Sequence, residues 1–436
     1  MASIRIPVTN VYAKGGCTAR LFVGSQRHAV NLILDTGSSS LVIHDNDYDP
    51  LQDSHLTGTA LVQDVQYGKG GWYGPVIQTS IIAGLHGHHA ELDGVSVALA
   101  SQTQVASFLE ADGILGLAYT ALDGAYDLTD FLTEQSVSPC ETFPYVMQHT
   151  TQNVSEYTHF LNQYPRTHIA PYFTRLEESG VVANQFALLT HRSSIYHTQT
   201  HQPAEKLLAH HLNHGLFVLG DPLLHCDLYT QPIKTVAVLH DKYYNVNVQS
   251  IRVGDGDPIP GPVLDDKHVK GYCTNGIIDS GASAIVLPQA IFDKVKRQLI
   301  AYNKDFAPLL SPYDAFTGEE TGIDADLLDL SQWPPIYIRC QSTTDESVTL
   351  TLSPDTYWQI HAPAHGKAAF KLCYLPGWPN QIILGLPLLN NYYTIFDRSA
   401  GDTGEIHFAI KVDIPGHMIQ AIHHALRPVS KGNKSI

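Results

Sequence analysis

Basic residues are scarce in this chain: 26 Lys and Arg stand against 42 Asp and Glu in 436 residues, a formal net charge of −16. The deficit argues against nonspecific nucleic-acid binding and against docking on an anionic membrane, since both need surplus positive charge. Long apolar runs are missing too, so no transmembrane helix is expected. The opening Met1-Ala-Ser-Ile-Arg-Ile-Pro-Val8 has no continuous apolar segment of the kind that marks a signal peptide. Cysteine is sparse, with six residues at 17, 140, 226, 273, 340 and 373 and no CxxC spacing. That excludes a disulfide framework or a zinc knuckle, and it reads as scattered reduced thiols in a cytoplasmic protein. Histidine, by contrast, is plentiful at 24. Because free imidazole titrates near 6.5, surface charge is expected to turn over strongly in acid. The length exceeds one ordinary hydrophobic core, and 44% apolar residues suffice to fill two lobes.

What is present is a repeat. Asn31-Leu-Ile-Leu-Asp-Thr-Gly-Ser-Ser-Ser40 delivers a carboxylate from an apolar run into a Gly-containing turn, and Gly276-Ile-Ile-Asp-Ser-Gly-Ala-Ser-Ala-Ile285 does so again, with Asp279 in the place of Asp35. Each repeat has a companion, Ala111-Asp-Gly-Ile-Leu-Gly-Leu-Ala-Tyr119 for the first and Gln381-Ile-Ile-Leu-Gly-Leu-Pro-Leu-Leu389 for the second. Two similar halves that each contribute an acid point to paired-carboxyl acid-base chemistry.

Taken in order, the opening third predicts strands over Ser3–Val8, Arg20–Val23, Ala29–Leu34 and Leu41–His44. A hairpin follows, Ala60–Tyr67 and Trp72–Ile82 about a Gly-rich tip. Helical periodicity is clearest over Tyr172–Leu189, and Thr120–Arg166 reads as a long surface insertion. In the second half strands are expected over Leu216–Leu219, Ile233–Leu239 and Tyr243–Val253, with a helix over Gln289–Tyr302. The expected organisation is an N-terminal lobe over 1–228, with the insertion over 120–166, a C-terminal lobe over 229–412, and a tail over 413–436 in which Ile419–Leu426 forms a short amphipathic turn. The clusters His86–His89, His210–His214 and His423–His424 lack metal-site spacing and read as solvated, pH-responsive surface. The acidic run Asp324–Asp329 reads as a solvated loop face.

These motifs resemble the pepsin-like, bilobal aspartic proteases. Asp35-Thr-Gly-Ser-Ser39 and Asp279-Ser-Gly-Ala-Ser283 look like that family's two active-site motifs, Tyr67-Gly68 like its flap, and Tyr392-Tyr-Thr-Ile-Phe-Asp-Arg398 like its C-terminal strand pair. The resemblance implies a mainly β, bilobal fold, two pseudo-twofold-related lobes with a central cleft and a joining interdomain sheet. It implies an aspartic endopeptidase with Asp35 and Asp279 catalytic, supported by hydrogen bonds from Thr36, Gly37, Ser38, Ser280 and Gly281. Substrate would lie against Ile33, Tyr67, Gly68, Ile114 and Ser283, with apolar side chains flanking the scissile bond. No metal or cofactor is implied. The implied partners are a peptide or unfolded protein and pepstatin-like inhibitors, with no nucleic acid and no membrane, and the chain is expected to be monomeric.

Two positions depart from the pattern. Val42 stands where the family usually has a Trp that bonds the flap tyrosine, with Trp72 across the hairpin as a candidate substitute. Ala282 stands where Thr or Ser is frequent, so Asp279 lacks a hydroxyl partner. Losing a bond to the charged form raises a carboxyl pKa, so the two acids are expected to titrate unequally and the acidic optimum to lie above pepsin's. The short stretch before Asp35 and the missing cysteine pairs resemble the bacterial, cytoplasmic pepsin homologues called shewasins. Alternatives of other classes are a catalytically silent peptide-binding protein on the same fold and a His-rich metal-binding or storage protein.

Overall fold

The computed structural model describes residues 3–45, 47–66, 70–85, 88–100, 102–103, 108–145, 154–314, 321–344 and 346–412. Each half is built around one strand–loop–strand unit with a third strand slotted into it. In the first, Gly113–Gly116 runs parallel to His28–Asp35, with Asp35 opposite Gly116, and antiparallel to Leu41–His44. In the second, Ile382–Leu384 runs parallel to Gly276–Ile278 and antiparallel to Ile285–Val286. The central strands read as continuous apolar runs because both of their faces are covered, as parallel pairing demands. Glycine makes the close crossing possible. A Cβ on Gly116 would stand 2.6 Å from the Ser39 backbone N, and one on Gly385 would stand 2.5 Å from the Ala282 carbonyl oxygen.

A six-stranded antiparallel layer joins the halves in the order Ile4–Thr9, His214–Leu219, Gln185–Leu189, Tyr392–Asp397, Glu405–Lys411, Tyr229–Ala237. Phe186, Phe217, Phe396 and Tyr244 pack beneath it, fully buried, with Phe186 and Phe396 stacked at 4.7 Å. This is the mainly β, bilobal architecture expected, and the joining layer is part of it.

Most of the expected strands fall within two residues of their place, and the helix spans Gln289–Tyr302 as read. The hairpin is Thr57–Gln66 with Gly71–Leu85, while its tip, including Tyr67 and Gly68, lies outside the described residues. Three expectations are corrected. The helix at Tyr172 ends at Glu178, and Gln185–Leu189 is a strand in the joining layer. A short apolar run buried on both faces has the same composition in either state, so only its pairing partners decide.

The segment read as a surface insertion is partly core. Gly124–Asp127 pairs with both Thr57–Gln66 and Arg166–His168, and Leu128, Leu132, Tyr157 and Leu161 pack on Val62, Tyr73 and Tyr126. Finally, His210–His214 is not a solvated cluster. His214 is buried and bonds the Leu208 carbonyl, and His210 stacks on Tyr196 at 4.3 Å. Burial and the nearby His211 and Arg192 charges push His210 down to about 4. That loop is stapled to the other half through Ser193 to Gln359 and Arg192 to the Ile360 carbonyl. His88 and His89 and the carboxylates of Asp324, Asp326 and Asp329 are exposed as read. His86, His423, His424 and the Ile419–Leu426 turn lie outside the described residues.

Candidate active site

Asp35 ends the His28–Asp35 strand and Asp279 follows Gly276–Ile278, so the two equivalent loops meet face to face between the halves. What holds them is a reciprocal set of four hydrogen bonds. The Thr36 backbone N–H donates to Ser280 Oγ at 3.0 Å and the Ser280 N–H donates to Thr36 Oγ1 at 2.9 Å. Each hydroxyl then donates across the interface, Thr36 to the Ile278 carbonyl at 3.0 Å and Ser280 to the Leu34 carbonyl at 2.7 Å. Both side chains are fully buried, so every donor must find its partner inside the protein. Thr36 and Ser280 thus tie the loops together as their sequence positions suggested.

The carboxyls sit above this brace, each lying over the glycine of the opposite loop. Gly37 and Gly281 donate their N–H groups to Asp35 Oδ1 and Asp279 Oδ1, each at 2.8 Å. Ser38 Oγ donates to Asp35 Oδ2 at 2.5 Å. Burial is the largest influence on Asp35 and raises it, against the Ser38 and Gly37 bonds. Asp279 is held well above the ordinary carboxylate range by burial first and then by the charge of Asp35, and no hydroxyl at position 282 opposes this. The unequal environments expected from Ser38 and Ala282 are therefore present. Two acids so placed hold one proton between them over a wide pH range, the arrangement for which the aspartic-protease pair is the standard physical example.

Ile33 and Ile114 lie side by side in register and are buried with Val42, Trp72, Ala98 and Phe108. Trp72, 1% exposed, packs in the cluster that contains Val42, so its ring shares the region a Trp at position 42 would enter. Ser283 is partly exposed four residues past Asp279, closely abutted by Gly15. Tyr67 and Gly68, being outside the described residues, receive no placement.

Sequence reasoning missed the second wall. Ile277, Val286 and Ile383 form a buried cluster flanked by Tyr243, Ala282 and Trp378, and the Tyr243 hydroxyl is close enough to feel both acids. The repeat itself holds the signal, since Ile277 and Ile383 occupy in the second half the places of Ile33 and Ile114 in the first. Among the described residues no group of three or more His, Cys, Asp or Glu side chains is gathered to hold a metal ion.

A family model described as eukaryotic aspartyl protease matches residues 17–161 and 209–409. The match runs through much of the segment read as an insertion and omits 162–208, which includes most of the loop stapled to Gln359 and Ile360. With more than half of the chain matched and both repeat motifs inside the matched regions, the protein belongs to the pepsin-like aspartyl protease family.

Proposed function

We propose that the chain is an aspartic endopeptidase whose Asp35 and Asp279 activate one water between them. The observation that carries this reading is the pair itself, two carboxyls facing one another across the two loops, each over the other loop's glycine, and both displaced upward from their ordinary range. The ionised member takes a proton from the water as its oxygen attacks the peptide carbonyl. The protonated member donates to the carbonyl oxygen as charge develops there, and a proton passes to the departing amine. Ser38 and the two glycine N–H groups orient the acids, and Thr36 with Ser280 keeps them at contact distance.

Apolar side chains on both sides of the scissile bond suit the two walls, Ile33 with Ile114 and Ile277 with Ile383. An extended peptide is the substrate form that a cleft between β halves accommodates. A single shared proton requires acid, and the upward displacement of both groups supports a working range above that of a pair of unperturbed carboxyls. The six cysteines, which form no disulfide, support a reducing compartment and the shewasin-like character proposed from the sequence.

The test is cleavage of a peptide library across pH 3 to 7 with pepstatin-type inhibition. Activity in acid that is inhibited and vanishes in Asp35→Ala supports the reading, and activity that survives this substitution refutes it. A finer expectation follows from position 282. Ala282→Ser restores a hydroxyl near Asp279, favours its charged form and is expected to shift the alkaline limb of the pH–rate profile downward. An unmoved profile would show that the missing hydroxyl is not what raises Asp279.

A further inference from the structure

Beside the loop of Asp35 lies another buried carboxyl for which the paired-acid chemistry has no role. Asp123 is 2% exposed and receives two side-chain hydrogen bonds on Oδ1, from the Ser40 hydroxyl and from Gln63 Nε2, both at 2.7 Å. The same Gln63 amide reaches Ser40 Oγ and the Gly124 carbonyl, each at 3.2 Å. Ser40 closes the loop that begins at Asp35, and its carbonyl accepts the Gly116 N–H at 3.0 Å. Gln63, also 2% exposed, belongs to Thr57–Gln66, the strand that leads directly to Tyr67. One carboxyl therefore joins the loop of Asp35, the first strand of the hairpin and the turn after Tyr119.

The charged surroundings of this joint are thin. His168, on the strand Arg166–His168 that pairs with Gly124, is the basic residue whose field favours the carboxylate. The neighbouring acids face elsewhere, Asp64 accepting from Thr158 and Asp127 from Thr129. Burial outweighs the Ser40 and Gln63 bonds and lifts Asp123 to about 6. Below that pH the joint is neutral. Above it a buried charge rests on two hydrogen bonds, and letting water in toward the Thr57–Gln66 strand relieves it.

The geometry points to Asp123 as a positioning residue: through Gln63 and Ser40 it fixes the hairpin strand against the loop of Asp35, firmly in acid and loosely near neutrality. This rests on the reading of Asp35 and Asp279 as the catalytic pair, and it adds a pH-dependent control of how the hairpin meets substrate.

Two readouts test it. With an apolar peptide substrate, wild-type KM is expected to rise about fivefold between pH 5 and 7, the loss of roughly one hydrogen bond. In Asp123→Asn, which keeps the shape without the charge, KM should stay flat while kcat retains the wild-type pH profile. Gln63→Leu should raise KM in acid as well, with kcat little changed. Independently of activity, amide exchange over 57–66, corrected for its intrinsic pH dependence, should speed up through pH 6 in wild type and not in Asp123→Asn. If Asp123→Asn follows wild type in both KM and exchange, the assignment is overturned. If no peptide is cleaved yet exchange behaves as expected, the joint stands and the paired-acid reading falls.

Discussion

Asp279→Asn is expected to lower kcat/KM by roughly 10⁴-fold, the upper end of what one general acid-base group supplies, and Asp35→Asn by a similar factor. The two effects should not add, because removing either member leaves no pair to divide one proton, and residues that act as a unit lose their function together. A stability readout distinguishes this from unfolding. Both acids have folded values above their unfolded ones, so the stability they contribute is complete below about 4, the unfolded value, and is lost as pH rises through the folded values. An Asn at 279 removes that loss. The variant should therefore melt higher than wild type at pH 7 and close to it at pH 4, while being inactive at both. Retention of activity within tenfold, or a lower melting temperature at pH 7 together with lost activity, would contradict the account of the pair.

The acids were legible in the sequence because their environment is local. A strand that ends in Asp-Thr-Gly-Ser or Asp-Ser-Gly-Ala dictates the turn, and the N–H of the glycine two residues on reaches back to the carboxyl in both halves. The Thr36 and Ser280 bonds followed from the repeat, since a pseudo-twofold pair of loops presents each hydroxyl to the other's backbone. What escaped notice depends on partners distant in sequence. Gln185–Leu189 is apolar enough for a buried helix and becomes a strand because 214–219 and 392–397 offer pairing edges on both sides. Asp123 sits in a Thr-Ala-Leu-Asp-Gly stretch at the start of the segment read as a surface insertion. Only the arrival of Gln63 and Ser40 makes it a buried joint. His214 likewise looked solvated until the loop from 190 to 214 folded over it.

Gly281→Ala is expected to reduce kcat by roughly 10²- to 10³-fold, in keeping with the cost of misplacing a reacting group by about 1 Å. The cause is steric and not conformational, as neither Gly281 nor Gly37 occupies the left-handed region. A Cβ at 281 would collide with Asp35 Oδ1 and stand 2.8 Å from its Cγ and 3.1 Å from Asp279 Oδ1, while one at 37 would stand 2.7 Å from Asp279 Cγ. Each glycine thus lies under the opposite acid. The clash can be relieved by swinging a carboxyl, the end of a side chain and not backbone, so the fold should survive with only a small loss of stability. The pair should not, because the carboxyl that swings gives up the bonds that fix it, for Asp35 those from Gly37 and Ser38 and for Asp279 that from Gly281, and leaves its partner. Once apart, Asp35 no longer raises Asp279 and Asp279 no longer lowers Asp35, so the pH–rate profile of residual activity in Gly281→Ala or Gly37→Ala should narrow, its alkaline limb moving toward acid. Gly271→Ala, with open space around the added carbon, is the control and should leave both rate and profile unchanged. A Gly281→Ala enzyme with wild-type kcat would mean that the acids have slack the present geometry denies them.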